Sequence, residues 1–222
     1  MSELFVKRFS TYIAIFLAYI AVWADIIFSI PEPAAFSVVW FIVSALKNTV
    51  RIVFVLYIAS QMSIFTVSRW RRAFEHLPSR PELHRALSVM LLSLGCAGIG
   101  MAASWLSGLS NPLFIQYQHG SGLILLPFIL VSSVSVGYAE ELFFRFFLID
   151  GLAEAGTPIS TAAIVSILIF GLSHYTQGIF GIAFAGLLAA FYTSLRFRGY
   201  GLHSLALGHA LYDAIVLLIA LA

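Results

Sequence analysis

The sequence predicts an all-α integral membrane protein, a polytopic helical bundle of about seven spans, give or take one. Three observations predict it. The 222 residues are 61% hydrophobic and only 10% charged, whereas soluble domains carry roughly 25% charged residues. Mean hydropathy is +0.98. The few Lys and Arg residues cluster between apolar runs long enough to cross about 30 Å of hydrocarbon. A net charge of +2 is too small to point to a nucleic-acid partner, so the informative quantity is where the arginines sit. The single Cys96 excludes an intrachain disulfide and reads as a core-filling thiol.

Taken in order, Lys7 and Arg8 precede an apolar run over 12–30, which is long for a signal peptide and predicts a retained first span with Asp25 near its far end. Pro31-Glu32-Pro33 breaks it. The second segment, 36–67, is too long for one straight span. Its Ser44, Lys47, Asn48 and Arg51 fall at i, i+3, i+4 and i+7, one polar stripe that predicts counter-charges for acids elsewhere in the bundle or a snorkelling interfacial anchor, with a substrate-binding role as the alternative. Residues 68–85 are the main polar connection, with Arg69, Arg71, Arg72, Arg80 and Arg85, and with His76 and His84 read as solvated. The positive-inside rule puts this loop in the cytoplasm.

A third span is expected over 86–109, where Gly95, Gly98 and Gly100 allow close helix approach, and Asn111-Pro112 ends it. The connection through Gln116, Gln118, His119 and Gly120 lacks Lys and Arg, as suits the opposite side. Further spans are expected over 123–149, 159–175, 178–195 and 202–222, with Arg196 and Arg198 marking a second cytoplasmic loop. No internal repeat is evident, so residues 1–222 read as one domain, with 1–110 as supporting spans.

The stretch 137–150, GYAEELFFRFFLID, puts Glu140, Glu141 and Arg145 inside hydrocarbon-like sequence, where each ionised group costs several kcal/mol. On a helix Glu141 and Arg145 share a face, acid before base. Glu140 is rotated about 100° from Glu141. Glu141 therefore reads as the partner that neutralises Arg145, and Glu140 as the carboxylate free for chemistry; a purely structural network of all three is the alternative. His174 follows Phe170 by four residues, and His209 and Asp213 are four apart on the last span. Glu140, His174, His209 and Asp213 together are the parts needed to activate a water.

These residues resemble a family. Glu140-Glu141-x-x-x-Arg145, Phe170-x-x-x-His174 and His209-x-x-x-Asp213, in this order on successive apolar segments, are similar to the three-motif pattern of the CPBP family of CAAX proteases and bacteriocin-processing enzymes, also called Abi. The resemblance covers about 123–222, the catalytic core it implies, and it includes the type II CAAX prenyl endopeptidases. It implies an intramembrane endopeptidase acting on a peptide or protein substrate at the lipid bilayer. Glu140 and His174 would hold and deprotonate the water. Glu141, Arg145 and Phe170 would support them. His209 and position 213 would complete the water site or stabilise the oxyanion. The family often has Asn at this last position, so Asp213 must either stay protonated or orient His209. No cofactor is favoured; zinc on Glu140, His174, His209 and Asp213 is the alternative.

Helix rise places His174 roughly 10 Å deeper than Glu140 and Asp213, so the motif converges only if the fifth helix starts below the surface, tilts or is shorter than drawn. Two other function classes are compatible with the residues: a non-catalytic immunity or scaffold protein, and a proton-coupled transporter. The small size and lack of targeting elements point to a prokaryotic inner or plasma membrane, with the N-terminus cytoplasmic.

Overall fold

The computed structural model describes residues 3–28, 32–62, 73–108 and 122–221. Pro31, Arg69, Arg71, Arg72, the Asn111-Pro112 break and the connection over 116–120 lie outside them. The described residues form α1 (Glu3–Val22), the single turn α2 (Ala24–Ile27), α3 (Val38–Gln61), α4 (Arg80–Ser107) and α5 (Gly122–Glu140). From α5 the chain continues through a π-helical stretch, Glu141–Leu148, into α6 (Ile149–Glu154). Then come α7 (Ile159–Ser173), a 3-10 turn (Tyr175–Gln177), α8 (Gly178–Phe197) and α9 (Leu202–Leu221). Among the described residues, five segments are long and apolar enough to cross a membrane, and Arg8–Val22 and Ile159–Ser173 are shorter apolar helices. The all-helical membrane bundle expected from composition is what the chain forms.

In α9, 50% of the span is buried, against 22–39% in the other four candidate spans, which makes it the central helix. It packs on α5 and α4, while α3 packs on α5 and α7 pairs with α8. Small residues set these approaches, as expected where lipid gives helices no hydrophobic reason to associate. A Cβ built on Gly137 of α5 would lie 2.4 Å from the Ala206 carbonyl oxygen, and one on Gly208 of α9 would lie 2.5 Å from Val89 of α4. Gly137→Ala therefore forces α5 away from α9, and we expect it to cost about 1–3 kcal/mol, read as a lower unfolding midpoint in detergent. An unchanged midpoint would mean that the two helices are not in contact there.

Several boundaries differ from the sequence reading. The run over 12–30 is not one helix: it breaks at Trp23. Arg51 of α3 donates from Nε to the Val22 carbonyl at 2.8 Å and lies 4.2 Å from the Trp23 ring centre. Ile26 N, which would otherwise take that carbonyl, bonds to Trp23 O instead. Asp25 follows the break and is ion-paired with Arg51 and with Lys47. Lys47 also pairs with Glu32, so the polar stripe meets nearby acids, in agreement with its reading as counter-charge. The helix expected to begin near residue 86 begins at Arg80: Ser79 donates from N (2.8 Å) and from Oγ (2.6 Å) to Glu82 Oε2, and Pro81 occupies the first turn. The Ser-x-x-Glu pattern is a capping signature within the stretch read as connection. Finally, α7 is shorter than drawn. It ends at Ser173, before the expected boundary at residue 175, and His174, which follows, lines one cavity with Glu140.

Candidate functional site

The π-helical stretch starts one residue after Glu140 and contains both Glu141 and Arg145. Such segments widen the helix by an extra residue per turn and often accompany functional positions. The aromatic side chains in it lock it in place. Phe143 and Phe144 pack against Trp23 at centroid distances of 5.9 and 5.2 Å, and Phe144 meets Phe170 edge-on at 5.0 Å. Glu141 and Arg145 are fully buried. Arg145 Nε is 3.2 Å from Glu141 Oε2, as the i, i+4 spacing predicted. Its two Nη atoms have no hydrogen-bond acceptor among the described residues. The guanidinium instead lies 4.4 Å from the Phe170 ring centre and 5.7 Å from that of Tyr192, so cation–π contact supplements the single carboxylate.

Glu141 does more than neutralise the arginine. Its other oxygen, Oε1, accepts a hydrogen bond from His209 Nδ1 at 2.9 Å. That bond fixes the ring, and it leaves Nε2 directed at the remaining acids, 3.5 Å from Asp213 Oδ2 and 3.8 Å from Glu140 Oε2. Orientation of His209, one of the two roles open to Asp213, is thus already supplied by Glu141 from the opposite ring edge. The two adjacent glutamates are clearly unlike: the Glu141 side chain is 0% exposed and that of Glu140 16%.

His174 caps the C-terminal end of α7. Its Nδ1 is 2.9 Å from the Phe170 carbonyl. A carbonyl only accepts, so Nδ1 carries the proton and Nε2 keeps its lone pair. This explains the four-residue spacing of Phe170 and His174. The same Phe170 covers Arg145 with its ring and orients His174 with its backbone. Both histidines therefore present Nε2 as the free atom.

Two cavities meet these residues. The larger, about 500 Å³, is lined by Glu140 and His174 together with Trp23, Asp25, Lys47 and Arg51. The smaller, about 130 Å³, is lined by His174, His209, Asp213, Phe170 and Tyr192 among others. His174 and Gln177 line both. The structure thus brings Glu140, Glu141, Arg145, His209 and Asp213 together by contact, and adds His174 through the shared cavity walls. Sequence reasoning missed three contributors. Gln177 lies in the turn after His174, Tyr192 packs its ring 5.3 Å from His209, and Trp23 comes from the N-terminal region. Only the polar stripe of α3 hinted that this region borders the site.

Among the described residues, the group that brings three possible ligand atoms within 4.8 Å of one another is His76, Glu82 and His203.

Fold and site together define a polytopic membrane protein with a buried carboxylate–histidine centre open to an internal cavity. Residues 122–215 match the family model of the type II CAAX prenyl endopeptidase Rce1-like family. The matched region, a little under half of the chain, holds every one of the motif residues above. Nothing among the curated proteins or the solved structures matches the chain.

Proposed function

We propose that the protein is an intramembrane endopeptidase that cleaves a hydrophobic, membrane-associated substrate with a water activated by Glu140 and His174. The observation that carries the reading is the division of labour between the ring nitrogens. In both histidines Nδ1 is committed, to Phe170 O in one and to Glu141 in the other, which leaves Nε2 for the reaction: that of His209 lies 3.8 Å from Glu140, and His174 shares a cavity wall with Glu140. In this reaction Glu140 takes a proton from the water as His174 holds it, and the hydroxide adds to the scissile carbonyl carbon. His209, in its imidazolium form, donates from Nε2 to the oxyanion. The proton held by Glu140 then passes to the leaving amine as the C–N bond breaks. The substrate enters from the bilayer into the larger cavity, and candidates are prenylated C-terminal peptides, leader peptides and C-terminal sorting signals.

The test is proteolysis of a library of membrane-anchored peptides by the protein in liposomes, wild type beside Glu140→Gln. Cleavage by wild type alone is the expected result. A cellular phenotype that survives Glu140→Gln would sink the peptidase reading and favour a scaffold. Asp213 offers a second prediction. With His209 already oriented by Glu141, Asp213 has only to contribute a polar atom beside Nε2, so Asp213→Asn should keep the cleavage rate within about tenfold, a difference of 1.4 kcal/mol in barrier. A loss as large as that of Glu140→Gln would instead make Asp213 the base.

A further inference from the structure

Outside the Glu140 centre, one cluster has the composition of a metal site and no role in the reaction above. His76 comes from the segment before α4, Glu82 from the first turn of α4, and His203 from the first turn of α9. One ligand atom from each lies within 4.8 Å of the others. In every one of the three, a neighbour engages one donor atom and leaves the second free. His76 Nδ1 is 3.1 Å from the Leu77 carbonyl, which can only accept, so Nε2 holds the lone pair. Glu82 Oε2 accepts from Ser79 N and Oγ, which leaves Oε1. A Cβ built on Gly201 would be 3.8 Å from that Oε1, so the oxygen faces the turn that leads into α9. His203 Nδ1 is 2.6 Å from the Tyr138 hydroxyl.

The decisive atom is His203 Nε2. The residue is 95% buried by its 5% exposure, and this nitrogen has no hydrogen-bond partner, an arrangement that costs about 1–3 kcal/mol if nothing meets it. The His76 ring sits 5.4 Å from the His203 ring, centre to centre. We propose that His76 Nε2, Glu82 Oε1 and His203 Nε2 bind a divalent transition metal of the zinc class, on the side of the bundle where Arg80, Arg85, Arg196 and Arg198 lie.

Two imidazoles and one carboxylate with an open fourth position are a ligand set that zinc accepts. The three engaged atoms supply outer contacts of the kind that orient ligands, with His203 Nδ1 donating to the Tyr138 hydroxyl when Nε2 holds the ion. Bonds of about 2.0–2.2 Å at tetrahedral angles need donors about 3.5 Å apart. The exposed, non-helical His76 is free to close the difference. The bound ion would fasten the segment before α4 to the start of α9, the helix that carries His209. It would also brace Tyr138, two residues before Glu140.

This proposal does not depend on the peptidase reading, and its test reads binding rather than cleavage. The full chain, purified in detergent with any affinity tag removed and stripped with a chelator, is titrated with cobalt(II) and then with zinc. Expected are one cobalt per chain with the visible absorption of a tetrahedral site, displacement by zinc, and a higher melting midpoint with zinc present. His76→Ala removes an exposed side chain and should abolish the bands without unfolding the protein. Glu82→Gln keeps the capping pattern and should weaken binding about as severely. Tyr138→Phe removes only the outer contact and should weaken it about 10- to 100-fold. Glu140→Gln should leave binding unchanged. No cobalt bands in the wild type, bands that persist in His76→Ala, or bands lost in Glu140→Gln would each overturn the proposal.

Discussion

Glu140→Gln is expected to lower kcat for peptide cleavage by about 10²–10⁴-fold, the usual contribution of a positioned general base, while KM and the unfolding midpoint stay nearly unchanged. The asymmetry follows from the surroundings. Gln has the same shape, and among the described residues the ion-pair contact of Glu140 is the long 3.8 Å approach to His209, so little structure depends on its ionisation. Its side chain reaches the larger cavity, where an amide can hold a water but cannot take its proton. Parallel measurement of cleavage in liposomes and of unfolding in detergent checks this. Activity that falls together with stability would mean that Glu140 belongs to a structural network, the alternative left open by the sequence. A chelator arm alone cannot decide the mechanism, because stripping the His76 site could also weaken the fold. It becomes decisive when repeated in His76→Ala: cleavage that resists the chelator there is independent of a metal at the peptide site.

Glu141→Gln should act in the opposite way, with stability as the primary loss. The amide can still accept from His209 Nδ1, so the change isolates what the carboxylate does for Arg145. That guanidinium is fully buried, and without Glu141 its charge would be balanced only by aromatic faces. Breaking a buried pair by removing one partner costs about 3–5 kcal/mol, whereas replacing both by groups that pack is often close to neutral. We therefore expect Glu141→Gln to destabilise by that amount, and Arg145→Met in the same chain to recover most of it. Unfolding curves of the two single variants and the double variant give the coupling directly. Strictly additive losses would show that the two side chains do not compensate each other.

Much of the site was legible because its cost is written in the sequence. Ionisable residues in apolar runs must be repaid, and helical spacing alone paired Glu141 with Arg145 and His209 with Asp213. Phe170 and His174 share that spacing, but its reason, a ring nitrogen bonded to the carbonyl four residues back, became visible only with coordinates. The second partner of Glu141 was out of reach for the same reason. His209 is 68 residues away, and no local rule relates the two positions. His76 illustrates the limit from the other side. Read by itself it is a solvated loop histidine, and exposed it is; its meaning depends on His203, which is far off in sequence and buried.

The sequence by itself determined the helical membrane class, the apolar segments and the identity of the charged groups that must find partners. These follow from hydropathy and from periodicity, which act over a few residues. Only the tertiary structure decided where helices stop. α1 ends at Val22 because Arg51, from another helix, takes the carbonyl that would have continued it. His174, just past the end of α7, lies on the walls of the cavities lined by Glu140 and by His209. The π-helical turn after Glu140 is held by Trp23 and Phe170, from the two flanks of the bundle. At Val22 and after Glu140 a distant side chain outweighs local backbone preference, because within hydrocarbon a polar group must find its partner inside the protein.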